Sequence, residues 1–428
     1  MAGSFFVMCQ TLCIDSIYFS VYNKNIITQS KEGFEMKKLF SAILAAAILV
    51  AALASCSHDK SKKNNGEQDI KSENIESTGG TTDNKDIILP KTYTEEETLH
   101  IDLSNDIKEQ LDSKADVKCI VISSGAESIP DNAFAECKGI EKVVIPSGIT
   151  QIGVNAFTGC SALCEVIFPD TLTFIGAGAF CGCTALSEIA LPDSVTTIRD
   201  YAFSACTALE KAEIPGSVKE IEADAFSHCT NLSDVLIHKG VESIGSNAFF
   251  GCTSLESISI PDSVTQIGAG SFRGCSAFSE IFIPHSVTKI YTGAFSDCLS
   301  LEKIDVDENN GIYSAEDGVL FNKYKTMLVA YPAGKSDMAY TIPESVTFIG
   351  NEAFFANTHV AEIVIPESVT AIDWWAFSGC TSLAKIAVPS NVTAIGTYAF
   401  ENCTSLSEVT WGDKICTINE YGTLKEKQ

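Results

Sequence analysis

The segment 255–275 has the sequence LESISIPDSVTQIGAGSFRGC, and it contains every feature that recurs along most of this chain. In its first half, Ile258 and Ile260 alternate with serines, so both point to the same face of an extended strand. Pro261 has no N–H to donate to a neighbouring strand, so the strand is expected to end there. The apolar and small residues of the second half are Val264, Ile267, Gly268, Phe272 and Cys275.

This unit repeats every 23 residues. Phenylalanines mark it, a cysteine follows each of them by three residues except at Asn357, and nine of the 12 prolines share one repeat position. The marking residues are Phe134, Phe157, Phe180, Phe203, Phe226, Phe249, Phe272 and Phe295, and then Phe354, Phe377 and Phe400. One unit buries too little apolar surface to offset the entropy lost on ordering it, so units fold only by stacking. The sequence predicts a repeat solenoid, a β-rich stack of coils with 23-residue turns and little regular α-helix.

The recurring motif is Leu-x-x-Ile-x-Ile-Pro, then Val-x-x-Ile-Gly, Ala-Phe and Cys, and it covers roughly residues 115–411. It resembles the BspA-like group of leucine-rich-repeat proteins of bacterial surfaces. The resemblance implies a secreted or lipid-anchored protein associated with adhesion to host matrix proteins, host cells or other bacteria. It implies no catalytic residues. Departures from the pattern are Arg199, Glu222, Tyr291 and Asp373 in place of glycine, and His238 in place of proline.

The N-terminal region predicts export. Met36-Lys37-Lys38 precedes an apolar run at 39–54, which is shorter than the ~20 residues of a membrane-spanning helix and is typical of a secretory signal. Leu53-Ala54-Ser55-Cys56 resembles the bacterial lipobox, which implies lipid attachment at Cys56. A signal peptide without lipidation is the alternative. We interpret residues 36–55 as the lipoprotein signal peptide and residues 1–35 as a mis-called N-terminal extension.

The remaining boundaries follow from composition. Residues 56–95 are mostly polar and small, cannot bury a core, and are expected to form a flexible polar tether. The solenoid is expected at 96–411, with an extended repeat at about 305–343, and residues 412–428 are expected to form a C-terminal cap or tail.

The extended repeat arises because Phe295 and Phe354 are 59 residues apart, 36 more than one unit. Residues 317–321 and 326–331 are predicted to form two short strands joined near 322–325. A projecting binding loop and an enlarged coil with its own hairpin both fit this pattern, and the apolar composition favours the enlarged coil.

Composition excludes several functions. The 29 basic and 55 acidic side chains give a formal net charge of −26, which argues against binding to nucleic-acid phosphates. Stacked coils keep equivalent cysteines ~4.8 Å apart and parallel, a poor geometry for disulfides, so the periodic thiols are expected to be buried. No C-x-x-C pair, histidine cluster or enzymatic motif is present in the sequence, so we predict no metal, no cofactor and no catalysis.

Two features are candidates for partner binding. The residue between the two strand anchors varies and should point outward, and its apolar members include Val144, Ile167, Leu236 and Phe282. Simple β-propensity on a half-exposed strand is an equally good explanation. The second candidate is the pair Trp374 and Trp375, since tryptophan is enriched where interfaces carry binding energy. That pair could instead pack on Tyr398.

The sequence therefore predicts a lipid-anchored protein of the bacterial outer membrane or cell surface, which binds a host or bacterial surface protein through its solenoid, as an adhesin does. The membrane contact is expected through the lipid anchor. A periplasm-facing structural scaffold is the first alternative. A carbohydrate-active or hydrolytic lipoprotein is the second, and it requires a deep pocket with convergent polar groups.

Overall fold

The computed structural model describes residues 93–114, 116–419 and 421–427. The predicted extension, the signal peptide, Cys56 and the tether up to residue 92 lie outside these ranges. Within the described part of the chain, no helix combines the length and apolarity that crossing a bilayer requires.

The described chain winds into about 14 coils, each close to 23 residues long, which confirms the predicted solenoid. Each coil contributes to two parallel columns of strands, and the register steps by 23 residues, for example from Lys211 to Asp234 and from Ile221 to Ile244. Each regular coil therefore repeats the path of the one before it.

The strands are numbered in chain order. The first strands of successive coils are β1 (Thr98–Ile101), β2 (Cys119–Ile122), β4 (Lys142–Val144), β6 (Glu165–Ile167), β8 (Glu188–Ala190), β10 (Lys211–Ile214), β12 (Asp234–Ile237), β15 (Glu280–Ile283), β17 (Lys303–Val306), β21 (Ala339–Thr341), β23 (Glu362–Val364), β25 (Lys385–Val388) and β27 (Glu408–Trp411). The second strands are β3 (Ser128–Ile129), β5 (Gln151–Ile152), β7 (Phe174–Ile175), β9 (Thr197–Ile198), β11 (Glu220–Ile221), β13 (Ser243–Ile244), β14 (Gln266–Ile267), β16 (Lys289–Ile290), β22 (Phe348–Ile349), β24 (Ala371–Ile372) and β26 (Ala394–Ile395). The other elements are α1 (Ile107–Asp112), β18 (Tyr313–Glu316), β19 (Val319–Asn322), β20 (Met327–Ala330), β28 (Lys414–Ile418) and β29 (Leu424–Glu426).

The second strands β3 to β16 form one eight-stranded parallel sheet, whereas the first strands fall into shorter sheets. These are β1-β2-β4-β6, β8-β10-β12, β15-β17 and β21-β23-β25-β27-β28-β29, the last ending in two antiparallel pairs. One interruption lies in the segment 255–275 itself, where residues 257–260 form no strand although Ile258 and Ile260 are buried.

Columns of identical side chains form the core. The phenylalanine rings stack nearly parallel, with centroids 5.1 Å apart at Phe134 and Phe157 and 6.0 Å apart at Phe272 and Phe295. Nine periodic cysteines are buried beside them, and each thiol donates a hydrogen bond to the carbonyl of the phenylalanine 26 residues earlier, as Cys229 does to Phe203 over 3.1 Å. At Asn357 the side-chain amide replaces this donor and bonds the Pro332 carbonyl at 3.2 Å. The thiols therefore act as hydrogen-bond donors as well as small apolar residues.

Two left-handed backbone positions flank the phenylalanine of most coils. In the coil of Phe249 they are Asn247, with φ of 55°, and Gly251, with φ of 69°. Glycine and asparagine adopt this conformation at low cost, which explains their frequency at both positions. Trp375 occupies the first of them, with φ of 52°. Glycine is preferred after the second-half isoleucine for a different reason, which is close packing between coils. A Cβ on Gly268 would lie 2.4 Å from the Gly245 carbonyl carbon of the preceding coil.

The extended repeat contains a three-stranded antiparallel unit. β19 and β20 form the predicted hairpin, and β18 pairs with β19 on its other side. β18 was not expected because its sequence, Tyr-Ser-Ala-Glu, lacks the alternation of large apolar residues. β20 pairs in parallel with β22, and Leu320, Phe321 and Leu328 are fully buried, so the insertion is an enlarged coil rather than a projecting loop.

Candidate partner-binding face

The first strands present one row of side chains to solvent. In β12 and β15 exposed and buried residues alternate strictly, which places Leu236 and Phe282 outward while their neighbours enter the core. Leu236 is 49% exposed and Phe282 is 52% exposed, and Ile167 in β6 is 42% exposed. Val364 in β23 continues the row at 48%. We use the name outer strand face for the outward residues at the first and third positions of the first strands, from β6 to β23.

Val144, which we expected in this row, is buried at 7% exposure. It packs with Cys119 and Val121 in a small separate cluster, and Tyr93 covers that cluster. Burial and nearby acidic groups raise the pKa of Tyr93 to about 12. Strand alternation correctly predicted that Val144 points away from the core. It could not predict that a segment distant in sequence covers this residue. Val144 is therefore no longer a candidate for partner binding.

Acidic side chains surround the apolar row. Glu213 lies between Leu236 and the preceding coils, and its Oε1 is 2.6 Å from Nε2 of His238, the residue that replaces proline. Asp234 and Glu280 occupy the first positions of β12 and β15 and are exposed. In the described residues several basic groups are neutralised by acids one coil away, as in the Lys385–Glu362 pair at 2.7 Å. The outer strand face therefore carries separated apolar side chains, with Glu213 interrupting their row and further acidic groups beside it.

The two tryptophans are half-buried and contact each other. Trp375 stacks on Tyr398 with centroids 5.3 Å apart and planes 7° from parallel. Trp374 lies 5.8 Å from Trp375 and packs on Gly396, where a Cβ would approach its ring to 2.5 Å. The packing alternative thus accounts for much of their surface, and the pair lies on a corner of the coils rather than on the first strands.

A cavity of about 130 Å³ lies beside the insertion, lined by residues including Phe295, Tyr331 and Asn351, and it was not predicted from the sequence. The signal that could have revealed it is a change in spacing. The second-half isoleucine and the phenylalanine are five residues apart in the regular coils, as in Ile267 and Phe272, but Leu328 and Tyr331 are only three apart. Over the described ranges, no group of three or more His, Cys, Asp and Glu residues is arranged to hold a metal ion.

The chain is similar to known leucine-rich-repeat proteins. A family model described as the BspA type leucine rich repeat region matches residues 127–256, 196–326 and 335–423, in six copies. A leucine rich cell surface protein from Faecalibacterium prausnitzii is 30% identical over 68% of this chain and 87% of its own, with a TM-score of 0.48. A leucine-rich repeat protein from Bacteroides ovatus is 29% identical over 69% and 78%, with a TM-score of 0.49. One from Eubacterium ventriosum is 26% identical over 74% and 68%, with a TM-score of 0.41.

Among curated proteins, the search finds none that matches this chain. The family match covers well over half of the sequence and includes the coils on both sides of the insertion. The chain belongs to the BspA-type leucine-rich-repeat family.

Proposed function

We propose that this protein is displayed on a bacterial surface and binds a protein of a host or of another bacterium through the outer strand face. The observation that carries the proposal is the exposure of Leu236 and Phe282, each about half exposed and both on one side of the sheet. Large apolar side chains in register on a rigid support are typical of interaction sites. The family is one of non-catalytic repeat scaffolds, which supports a role in binding rather than catalysis.

The row matches the dimensions of an interface. Adjacent strands lie ~4.8 Å apart, so Leu236 and Phe282, two coils apart, are separated by about 10 Å, and Ile167 lies about 15 Å beyond Leu236. The intervening residues are small or acidic, with Ala190 and Glu213 on one side of Leu236 and Ser259 on the other. Leu236 and Phe282 would act as anchors, because a few buried side chains supply most binding energy.

Charge indicates the chemistry of the partner. Glu213 interrupts the apolar row, Asp234 and Glu280 flank it, and the whole chain carries 26 more acidic than basic side chains. A partner with an apolar centre and lysine or arginine at its rim would be complementary. Such rim contacts are screened by salt, so association should slow as ionic strength rises.

The anchoring part of the proposal depends on the N-terminal sequence. The basic pair, the apolar run and the lipobox-like Leu-Ala-Ser-Cys support cleavage after residue 55 and lipidation of Cys56. More than one acyl chain is needed for stable membrane attachment. Residues 56–95 would then act as the tether between the membrane and a solenoid spanning 96–411, with 412–428 as its cap. Radiolabelled palmitate should enter the wild-type protein and not a Cys56→Ser variant.

A pull-down of surface and matrix proteins tests the binding face. We expect a Leu236→Ser/Phe282→Ser double variant to recover at least tenfold less of the bound partner, because two anchors are removed. Tyr324 and Met338, which are 83% and 69% exposed, provide the matched control, since a Tyr324→Ser/Met338→Ser variant removes comparable apolar surface from the insertion. Equal losses in both variants would contradict the assignment to the outer strand face.

A second comparison decides the role of the tryptophan pair. A Trp374→Ala/Trp375→Ala variant that recovers as much partner as the wild type would remove the pair from the binding site. Protease treatment of intact cells tests display, because a surface-exposed solenoid is cleaved, whereas protection of the protein would favour a periplasm-facing scaffold.

A further inference from the structure

The cavity beside the insertion has a structural cause. In the regular coils a Gly-x-x segment forms the corner between the second-half isoleucine and the Ala-Phe pair. The coil of β20 lacks two residues at this corner, so Leu328 leads to Tyr331 directly. Tyr331 still takes the phenylalanine position, because its N–H donates to the Ala353 carbonyl at 2.6 Å and its ring stacks on Phe354 at 4.8 Å. The space of the two missing residues is the cavity, with a volume of about 130 Å³.

The shortened coil also interrupts the backbone hydrogen bonds between coils. The N–H of Phe272 donates to the Ala294 carbonyl at 2.9 Å, and the same bond recurs at the phenylalanines before it. Phe295, which is 6% exposed and lines the cavity, makes no corresponding bond to a partner among the described residues. A buried donor without a partner costs free energy, so this N–H favours an acceptor in the cavity.

An acceptor on the opposite wall is also unpaired. The side-chain Oδ1 of Asn351 is buried and has no hydrogen-bond partner. Glu352 lies beside it with its side chain only 4% exposed, and its carboxylate is held by Arg273 Nη1 at 3.2 Å. The Arg273 guanidinium in turn lies 4.7 Å from the centre of the Phe355 ring. Arg273 neutralises Glu352. The Asp373 carboxylate also lines the cavity and accepts a hydrogen bond from the Trp374 N–H at 2.8 Å, so the lining combines neutral polar groups with one acidic side chain.

We propose that this cavity binds one pyranose ring, the terminal sugar of a glycan. A sugar hydroxyl both donates and accepts, so one hydroxyl can satisfy Asn351 Oδ1 and another the N–H of Phe295. The C–H face of the ring packs on Phe295 and Tyr331, as apolar surface packs on aromatic rings. An engineered apolar cavity of about 150 Å³ holds benzene in another protein. This cavity is of similar size and opens to solvent, where the hydroxyls of a sugar ring stay hydrated.

Two other ligand classes fit less well. A purely aromatic ligand would fill the apolar wall but leave Asn351 and the Phe295 N–H unpaired, at the full cost of burying them. A cation would compete with Arg273 for Glu352 and meet its positive charge at short range. A neutral, hydroxyl-rich ring satisfies both walls. This site lies apart from the outer strand face, and the inference stands whether or not that face binds a protein.

Saturation-transfer NMR on the full-length protein tests the inference, with the methyl pyranosides of glucose, galactose, mannose and N-acetylglucosamine as probes. We expect at least one to bind with a Kd on the order of 1 mM, as suits a ligand of this size. Asn351→Leu removes the unpaired acceptor and should weaken binding at least tenfold. Ser246→Leu is the matched control, since it changes the same repeat position in a coil of regular spacing and should leave binding unchanged.

Val329→Trp gives a second variant that leaves the polar wall intact. Val329 is half-buried and lines the cavity, so a larger ring there should fill the space and abolish binding while the circular dichroism spectrum is retained. The inference is overturned if none of the four pyranosides binds, or if binding survives both variants. Binding of phenol or indole without any pyranoside would also overturn it, by assigning the cavity to aromatic ligands.

Discussion

Raising the pH from 8 to 10 should strongly destabilise this protein, because its core contains a column of buried thiols. Desolvation by burial raises the pKa of Cys229 and of Cys275 from 9.0 to about 12, and it also raises the pKa of Cys206 and of Cys252 well above 9.0. A raised pKa means that the folded state holds the proton more tightly than the unfolded chain does. The stabilisation is complete below pH 9, and it is lost as the pH rises from 9 toward the folded-state pKa.

The repeat makes this effect large. At pH 10, one unit above the ordinary thiol pKa, each fully buried thiol favours the unfolded chain by about 1.4 kcal/mol relative to neutral pH. Nine of the periodic cysteines are buried within the described residues, so together they contribute about 13 kcal/mol. That is comparable to the total stability of a typical domain, about 5–15 kcal/mol.

Urea unfolding followed by circular dichroism, in the presence of a reductant, measures the effect as a midpoint at pH 7, 8, 9 and 10. The wild-type midpoint should fall steeply above pH 9. A Cys206→Ala/Cys229→Ala/Cys252→Ala variant starts less stable, but its loss between pH 8 and 10 should be about 4 kcal/mol smaller. A wild-type midpoint that does not move, or a triple variant with the full pH dependence, would refute the argument.

Three further outcomes are expected. Phe249→Ala should lower the free energy of unfolding by about 3–5 kcal/mol in urea titrations, because a fully buried ring with a stacked neighbour on each side is replaced by a void. Trp375→Gly and Trp375→Ala both lose the stack on Tyr398, but only the glycine variant relieves the strain of the left-handed backbone. Calorimetry should therefore show a smaller loss of stability for Trp375→Gly than for Trp375→Ala. Arg273→Met should cost about 3–5 kcal/mol by leaving the Glu352 carboxylate buried without its partner, and the Arg273→Met/Glu352→Met double variant should recover most of that loss in the same assay.

The periodic part of the fold could be predicted from the sequence because each side chain in a column has the same environment as its counterpart 23 residues away. The repeat positions occupied by Phe249 and Cys252 are core positions in every regular coil. The structure adds that the cysteine is a hydrogen-bond donor, which residue spacing cannot show.

The rest depends on contacts that break the period. Val144 is covered by Tyr93, a residue of the segment that precedes the first strand. β18 forms because β19 supplies its partner strand rather than from any alternation of its own. The cavity results from a two-residue shortening between Leu328 and Tyr331. The shortening is visible in the sequence, but it leaves a cavity only because the neighbouring coils retain the full-length corner.

The insertion also divides the apolar interior. One cluster ends with Tyr313 and Leu320, and a second begins with Val319 and Phe321. Loss of structure that starts at the C-terminal cap would therefore travel coil by coil and halt at this boundary, since the ring stacks do not run through it. Under mechanical load the protein would unfold in two steps. The coils on the C-terminal side of the insertion would extend first, while the larger N-terminal part stays folded.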